Sequence, residues 1–164
     1  MDSFAAAKLH VALPAATSLV LTRSFGAPRR AVWNAMTDPA LMRQWMVPPP
    51  GWSMTACECD ARVAGVLRLA WKNQAGDETL ALLGVFTEVR AAERLVHTEV
   101  MTLSSGEVIG SQLETHEFLD VDGGTQLRIT QLFASQEARD SAAPSMQEPM
   151  EAGFANLDAL LARR

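Results

Sequence analysis

Ser24-Phe25-Gly26-Ala27-Pro28-Arg29-Arg30-Ala31-Val32-Trp33-Asn34-Ala35-Met36-Thr37-Asp38-Pro39-Ala40-Leu41-Met42-Arg43-Gln44-Trp45 reads as the end of a strand running into two short helices, each opened by a proline. Pro28 suits the first turn of a helix, where its missing N–H would have no partner anyway. Val32, Trp33 and Met36 then share one face. Asp38 is placed to cap the second helix, and Leu41, Met42 and Trp45 form its apolar side. Pro48-Pro49-Pro50-Gly51 ends the helical part, because neither a helix interior nor a strand centre accepts such a run.

Working outward, Leu19, Leu21, Arg23 and Phe25 alternate with Val20, Thr22 and Ser24, which predicts a strand over 18–25. Residues 1–17 are alanine-rich, contain Pro14 and show no convincing strand or capped helix. They read as a loosely attached extension to a single domain over 18–164. Downstream, β runs are expected near 53–62, 65–72, 78–89, 94–101, 111–121 and 125–133, separated by glycine-rich or polar turns. Such short connections imply an antiparallel meander. The chain closes with a long helix in which Met146, Met150, Phe154, Leu157 and Leu161 recur on one face. Ser145-Met146-Gln147-Glu148 reads as its capping box, with a break or kink near Pro149. Gly153, costing about 1 kcal/mol inside a helix, suggests that something packs closely there.

The order of strand, two small helices, six strands and long helix resembles the helix-grip fold of the START-related (SRPBCC, Bet v 1-like) superfamily. Within it, the chain is similar to the family named for the activator of heat-shock-protein-90 ATPase homologue. The resemblance runs from about Ser18 to Leu161. It is carried by Phe25-Gly26-Ala27-Pro28, Trp33 with Thr37-Asp38-Pro39, Gln44-Trp45, Asp60-Ala61-Arg62-Val63-Ala64-Gly65, Gly84-Val85-Phe86, Glu93-Arg94-Leu95-Val96, Gly123-Gly124-Thr125, Gly153-Phe154 and Leu157-Asp158. It implies an α+β helix-grip fold, a curved antiparallel sheet of about seven strands wrapped around the C-terminal helix, with a cavity between them. Two departures stand out. The family's paired tryptophan followed by Gly-Pro is Trp45-Met46-Val47-Pro48 here, and its double glycine after the Asp-x-Arg turn is Ala64-Gly65.

Alternation fixes the lining of that cavity. With Leu95 and Phe118 inward, as the resemblance implies, His97 and Glu99 point inward on one strand and Glu114 and His116 on the next. Leu127, Ile129, Gln131 and Phe133 share that parity on the last strand. Trp45, Trp52 and Trp71 are candidates to line or cap the space, Met42, Met46, Met101 and Met150 to form an adaptable wall, and Phe154 to face it from the helix. Trp33 reads as core. The expected ligand site is therefore Trp45, Trp71, His97, Glu99, Glu114, His116, Gln131, Met150 and Phe154.

Buried His and Glu must pair with one another, hold water or meet a ligand, since leaving them unpaired costs several kcal/mol. A satisfied His–Glu network and a polar anchor for a small hydrophobic or amphipathic molecule are both consistent with the pattern. Two further readings stay open. One is a cyclase- or aromatase-like enzyme using His–Glu acid–base pairs, although the chain has no tyrosine to donate a proton. The other is a co-chaperone-like protein-interaction module. Neither a metal nor a cofactor is called for: no tight ligand motif, phosphate loop, dinucleotide fingerprint or Ser-His-Asp order is visible.

The composition narrows the class. A hydrophobic content of 48% with 20% charged residues is that of a globular domain. A net charge of −5, with the 14 Lys and Arg scattered, disfavours nucleic acid and anionic membranes as partners. No apolar run would span a bilayer and the N-terminus lacks the charge pattern of a secretory signal, so a cytoplasmic location is expected. Cys57 and Cys59, two apart in a strand, read as buried reduced thiols rather than a disulfide. A homodimer through the edge of the first strand is conceivable.

Overall fold

The computed structural model describes residues 7–163, with the backbone alone at residues 145 and 146. Eight strands and three helices follow in the order β1 (His10–Ala15), β2 (Ser18–Phe25), α1 (Arg29–Thr37), α2 (Pro39–Trp45), β3 (Trp52–Cys59), β4 (Val66–Asn73), β5 (Thr79–Arg90), β6 (Arg94–Leu103), β7 (Val108–Val121), β8 (Gly124–Phe133) and α3 (Gln136–Ala162). All pairings are antiparallel and the sheet order is β1-β2-β8-β7-β6-β5-β4-β3. Register shifts at Ala12/Ala15, Met54/Ala56, Phe86/Glu88 and Met101/Thr102 insert extra residues into one strand of a pair. Such bulges bend the strands, and here the curved, unclosed sheet wraps around α3.

The two proline-opened helices form as their residues dictate. The Pro28 carbonyl accepts the Ala31 and Val32 amides at 3.0 and 3.2 Å. Asp38 Oδ1 accepts the Ala40 amide at 2.9 Å, and Pro39 follows at the first helical position. Trp45 Nε1 donates to the Ala35 carbonyl at 2.8 Å, tying α2 to α1. Its ring lies nearly parallel to Phe154, centroids 5.9 Å apart, while Phe25 meets Phe154 edge-on at 5.5 Å. A Cβ on Gly153 would lie 3.6 Å from the Trp45 ring, an ordinary contact, so Trp45 packs beside this glycine without requiring it. Trp33 is core, edge-on to Phe118 at 5.3 Å.

Three expectations need correction. Residues 10–15 are not a loose extension: they form β1 on the outer edge of β2. Pro14 hid it, yet an edge strand tolerates proline because one row of its N–H groups needs no sheet partner. The strand over 18–25 is consequently interior, and the sheet edges are β1 and β3. Helix α3 starts at Gln136, not near Ser145, with the Ser135 hydroxyl accepting the Ala138 amide at 3.1 Å. It runs through Pro144 and Pro149 without interruption. The side chains of Ser145 and Met146, including the capping box expected there, lie outside the described residues. Arg139 anchors the early turns, donating to the Ala15 carbonyl and, at 2.8 Å, to Asp140.

The altered double glycine has a local consequence. Ala64 sits at φ 69°, in the left-handed region that disfavours a Cβ, and its amide donates to the Phe86 carbonyl at 2.8 Å. Gly65 cannot change, since a Cβ there would come within 1.9 Å of the Asp60 carbonyl oxygen. Ala64→Gly is therefore expected to stabilise the protein by about 1 kcal/mol, read as a higher urea midpoint at unchanged m-value.

Candidate functional site

A cavity of about 360 Å³ lies between the concave face of the sheet, the segment from α2 to Pro49, and α3. Its lining is divided by strand. Cys59, Leu67, Leu69, Trp71, Leu80, Leu82 and Phe86 come from β3, β4 and β5, whereas the polar groups all come from β6, β7 and β8. The division follows from register. His97, Glu114 and Gln131 stand opposite one another in a single row across the three strands. Glu99 and Gln112 form the next row, and Leu95, His116 and Ile129 the row on the other side.

All nine expected site residues line this space: Trp45, Trp71, His97, Glu99, Glu114, His116, Gln131, Met150 and Phe154. Met42, Met46 and Met101 do so too. Trp52, the other tryptophan weighed for the lining, is not among the lining residues. Gln112 and Phe86 were not anticipated. Gln112 shares the parity of Glu114 and His116, so alternation alone would have found it. Phe86 reaches His97 edge-on, centroids 5.3 Å apart, next to a bulge that strict alternation does not foresee.

Glu114 is the hub of the polar row. One carboxylate oxygen accepts His116 Nε2 at 2.8 Å and the other accepts Gln131 Nε2 at 2.6 Å. Burial, the largest influence, pushes its pKa up, but the His116 hydrogen bond and charge, the His97 charge and the Gln131 hydrogen bond together outweigh burial and hold it at about 2. Glu99 behaves oppositely. Burial, then the charge of Glu114 and a hydrogen bond to it, push Glu99 well above the usual carboxylate range, against the Gln112 donor at 3.0 Å. The two neighbouring carboxyls are thus driven apart, Glu114 towards its ionised form and Glu99 towards its protonated one. His97 is lowered to about 4, by burial first and the His116 charge second, against the pull of Glu114 and the Thr98 carbonyl. It is neutral at pH 7. Its Nδ1 lies 3.2 Å from that carbonyl, which can only accept, so Nδ1 carries the proton and Nε2 keeps its lone pair.

Of the His–Glu pairs expected from sequence, one forms. His116 bonds to Glu114, whereas His97 stands 3.8 Å from Glu99 and 4.0 Å from Glu114. Two buried polar atoms in this cluster, His116 Nδ1 and Gln131 Oε1, have no partner among the described residues.

His97, Glu114 and His116 place three potential metal-ligand atoms within 4.8 Å of one another. A ligating imidazole needs its other nitrogen to donate to an acceptor. His97 meets this through Thr98, and His116 meets it through Glu114 when the unpartnered Nδ1 is the ligating atom. The cysteines are free thiols. Burial pushes Cys57 up, and burial with the charges of Cys57 and Asp60 pushes Cys59 to about 12.

Comparison with known proteins places this architecture. A family profile described as "Activator of Hsp90 ATPase homolog 1-like protein" matches residues 26–162. The chain belongs to this family. Among solved structures, a member-like protein from Rhodobacter sphaeroides is 33% identical, with a TM-score of 0.87 over 96% of this chain and 99% of that one. A protein from Mycobacterium smegmatis (22% identity, TM-score 0.77, 95% and 97% covered) and one from Nitrosomonas europaea (24%, 0.76, 93% and 98%) share the fold. No curated protein matches. Like other chains of the Activator of Hsp90 ATPase homolog 1-like family, this one presents an α+β helix-grip architecture, and among the described residues no helix is long and apolar enough to cross a membrane.

Proposed function

We propose that this chain binds a small, mostly apolar molecule in the cavity between the sheet, α2 and α3. The observation that carries the reading is the composition of the wall: tryptophan, methionine, leucine and phenylalanine on most sides, and one registered polar row, His97-Glu114-Gln131, with buried atoms left unpartnered beside it. Apolar pockets with a few convergent polar groups are the usual form of ligand sites, the apolar wall supplying affinity and the polar groups orientation. Methionines on three sides make a wall that adapts its shape. Methyl-resolved NMR of methionine-labelled protein, titrated with 3-phenylpropanol, tests the reading: the cavity methionines are expected to shift saturably.

One observation favours a second reading, acid–base catalysis on the bound molecule. His97, neutral with a free Nε2 lone pair, and Glu99, its carboxyl pushed up by burial and by Glu114, stand in one cavity as a base and an acid 3.8 Å apart.

A further inference from the structure

We infer that the cavity selects molecules whose polar end is a hydrogen-bond donor carrying positive charge, that is, small aryl- or alkyl-ammonium compounds, over carboxylates and neutral isosteres. This rests on the reading of the cavity as a binding site and adds the chemical class of what it holds.

The first argument is the surplus of acceptors. Gln131 is buried and its Oε1 has no partner. The amide cannot be reversed to remove the surplus, because its nitrogen already donates to Glu114 at 2.6 Å and the reversed oxygen would face a carboxylate. His97 Nε2 has a lone pair and stands 4.0 Å from Glu114 Oε2, beyond hydrogen-bonding distance. His116 Nε2 is engaged by Glu114 at 2.8 Å, so it does not compete for an incoming donor at the remaining acceptors. Glu114 takes His116 on one oxygen and Gln131 on the other, and with Glu99 as a further neighbour a carboxylate's four lone pairs are still not filled. An ammonium brings three N–H groups to these acceptors.

Charge points the same way. Among the described residues, the ionisable side chains lining the cavity are Glu99, Glu114, His97, His116 and Cys59, with neither lysine nor arginine. A bound carboxylate would lie in a low-dielectric space against Glu114 with no fixed cation to receive it. A cation finds the reverse. Burial and the charge of Glu114 disfavour the ionised form of Glu99, and an incoming ammonium supplies the countercharge that the two carboxyls call for. The aromatic faces of Trp45, Trp71 and Phe86 suit the ring or chain that carries the amine.

Isothermal titration of chelator-treated protein at pH 7 with three matched probes tests this: 3-phenylpropylamine, 3-phenylpropanol and 3-phenylpropionate. The amine is expected to bind at least about tenfold more tightly than the alcohol, and the carboxylate more weakly than either. In Glu99→Gln and, separately, Glu114→Gln, the amine-to-alcohol affinity ratio should fall towards one; using both guards against one variant failing to fold. Equal affinities, or a preference for the carboxylate, overturn the inference while leaving the cavity as a binding site. Binding of none of the three overturns that reading and the inference with it.

Discussion

Asp158→Ala is expected to cost about 3 kcal/mol of unfolding free energy, and Arg23→Met distinctly less. Arg23 lies on the inward face of β2 and is only 3% exposed. Its guanidinium donates to both oxygens of Asp158 on α3, one at 3.3 Å, and to the Ser24 carbonyl at 2.6 Å, while stacking over Phe25 at 4.9 Å. Removing the carboxylate strands a buried charge. Removing the guanidinium leaves Asp158, 32% exposed, free to turn towards water. Stripping one partner from a buried pair costs about 3–5 kcal/mol, and the low end applies because Glu151 remains 3.8 Å from Arg23 Nε. Equilibrium urea unfolding of the two variants gives the order. If Arg23→Met proves the more damaging, the guanidinium serves chiefly as packing over Phe25 rather than as the charge that holds α3 against the sheet.

Acid should unfold this protein partly through His97. In the folded state its pKa is lowered to about 4, against about 6.5 in an unfolded chain. Between those values the unfolded state binds the proton and the folded state does not, so this contribution is complete above pH 6.5 and is lost as pH falls towards 4. The interval corresponds to about 3 kcal/mol. Other groups act in the same range. Glu99, raised above 4.5, favours the folded state at low pH and loses that contribution as pH rises, while Glu114, held at about 2, loses its own only as pH falls below 4.5. The difference in stability between the wild type and His97→Gln separates the histidine from both. It should shrink by about 3 kcal/mol from pH 7 to pH 4. A difference that stays constant across that range would mean that His97 titrates as if in water.

The sheet-facing half of this site was legible because a strand has a period of two. Once Leu95 and Phe118 are set inward, His97, Glu99, Glu114, His116 and Gln131 have no other place to go. Partner choice was not legible. Whether His97 or His116 meets Glu114 depends on inter-strand register, and only the structure shows His97 opposite Glu114 yet His116 bonded to it. The same limit applies to Arg23 and Asp158. Alternation puts Arg23 in phase with Leu19, Leu21 and Phe25, but nothing local names a partner 135 residues away. Strand β1 and the residue before it carry only a short alternation, Leu9, Val11 and Leu13, that Pro14 interrupts, and the first turns of α3 turn only alanines to the core. The former is held by pairing along an edge, and the latter by Ser135 and Arg139 with good helix-forming residues, so hydrophobic patterning is a weak signal for both.

The cavity as a ligand site is tested most directly at its methionines. Met36, Met42, Met46, Met101 and Met150 line it, whereas Met54 does not. In protein labelled at the methionine methyl carbons and titrated with 3-phenylpropanol, those five resonances are expected to move together and saturate while Met54 stays in place. Unmoved cavity methyls at saturating probe, or shifts at Met54 equal to theirs, would contradict it.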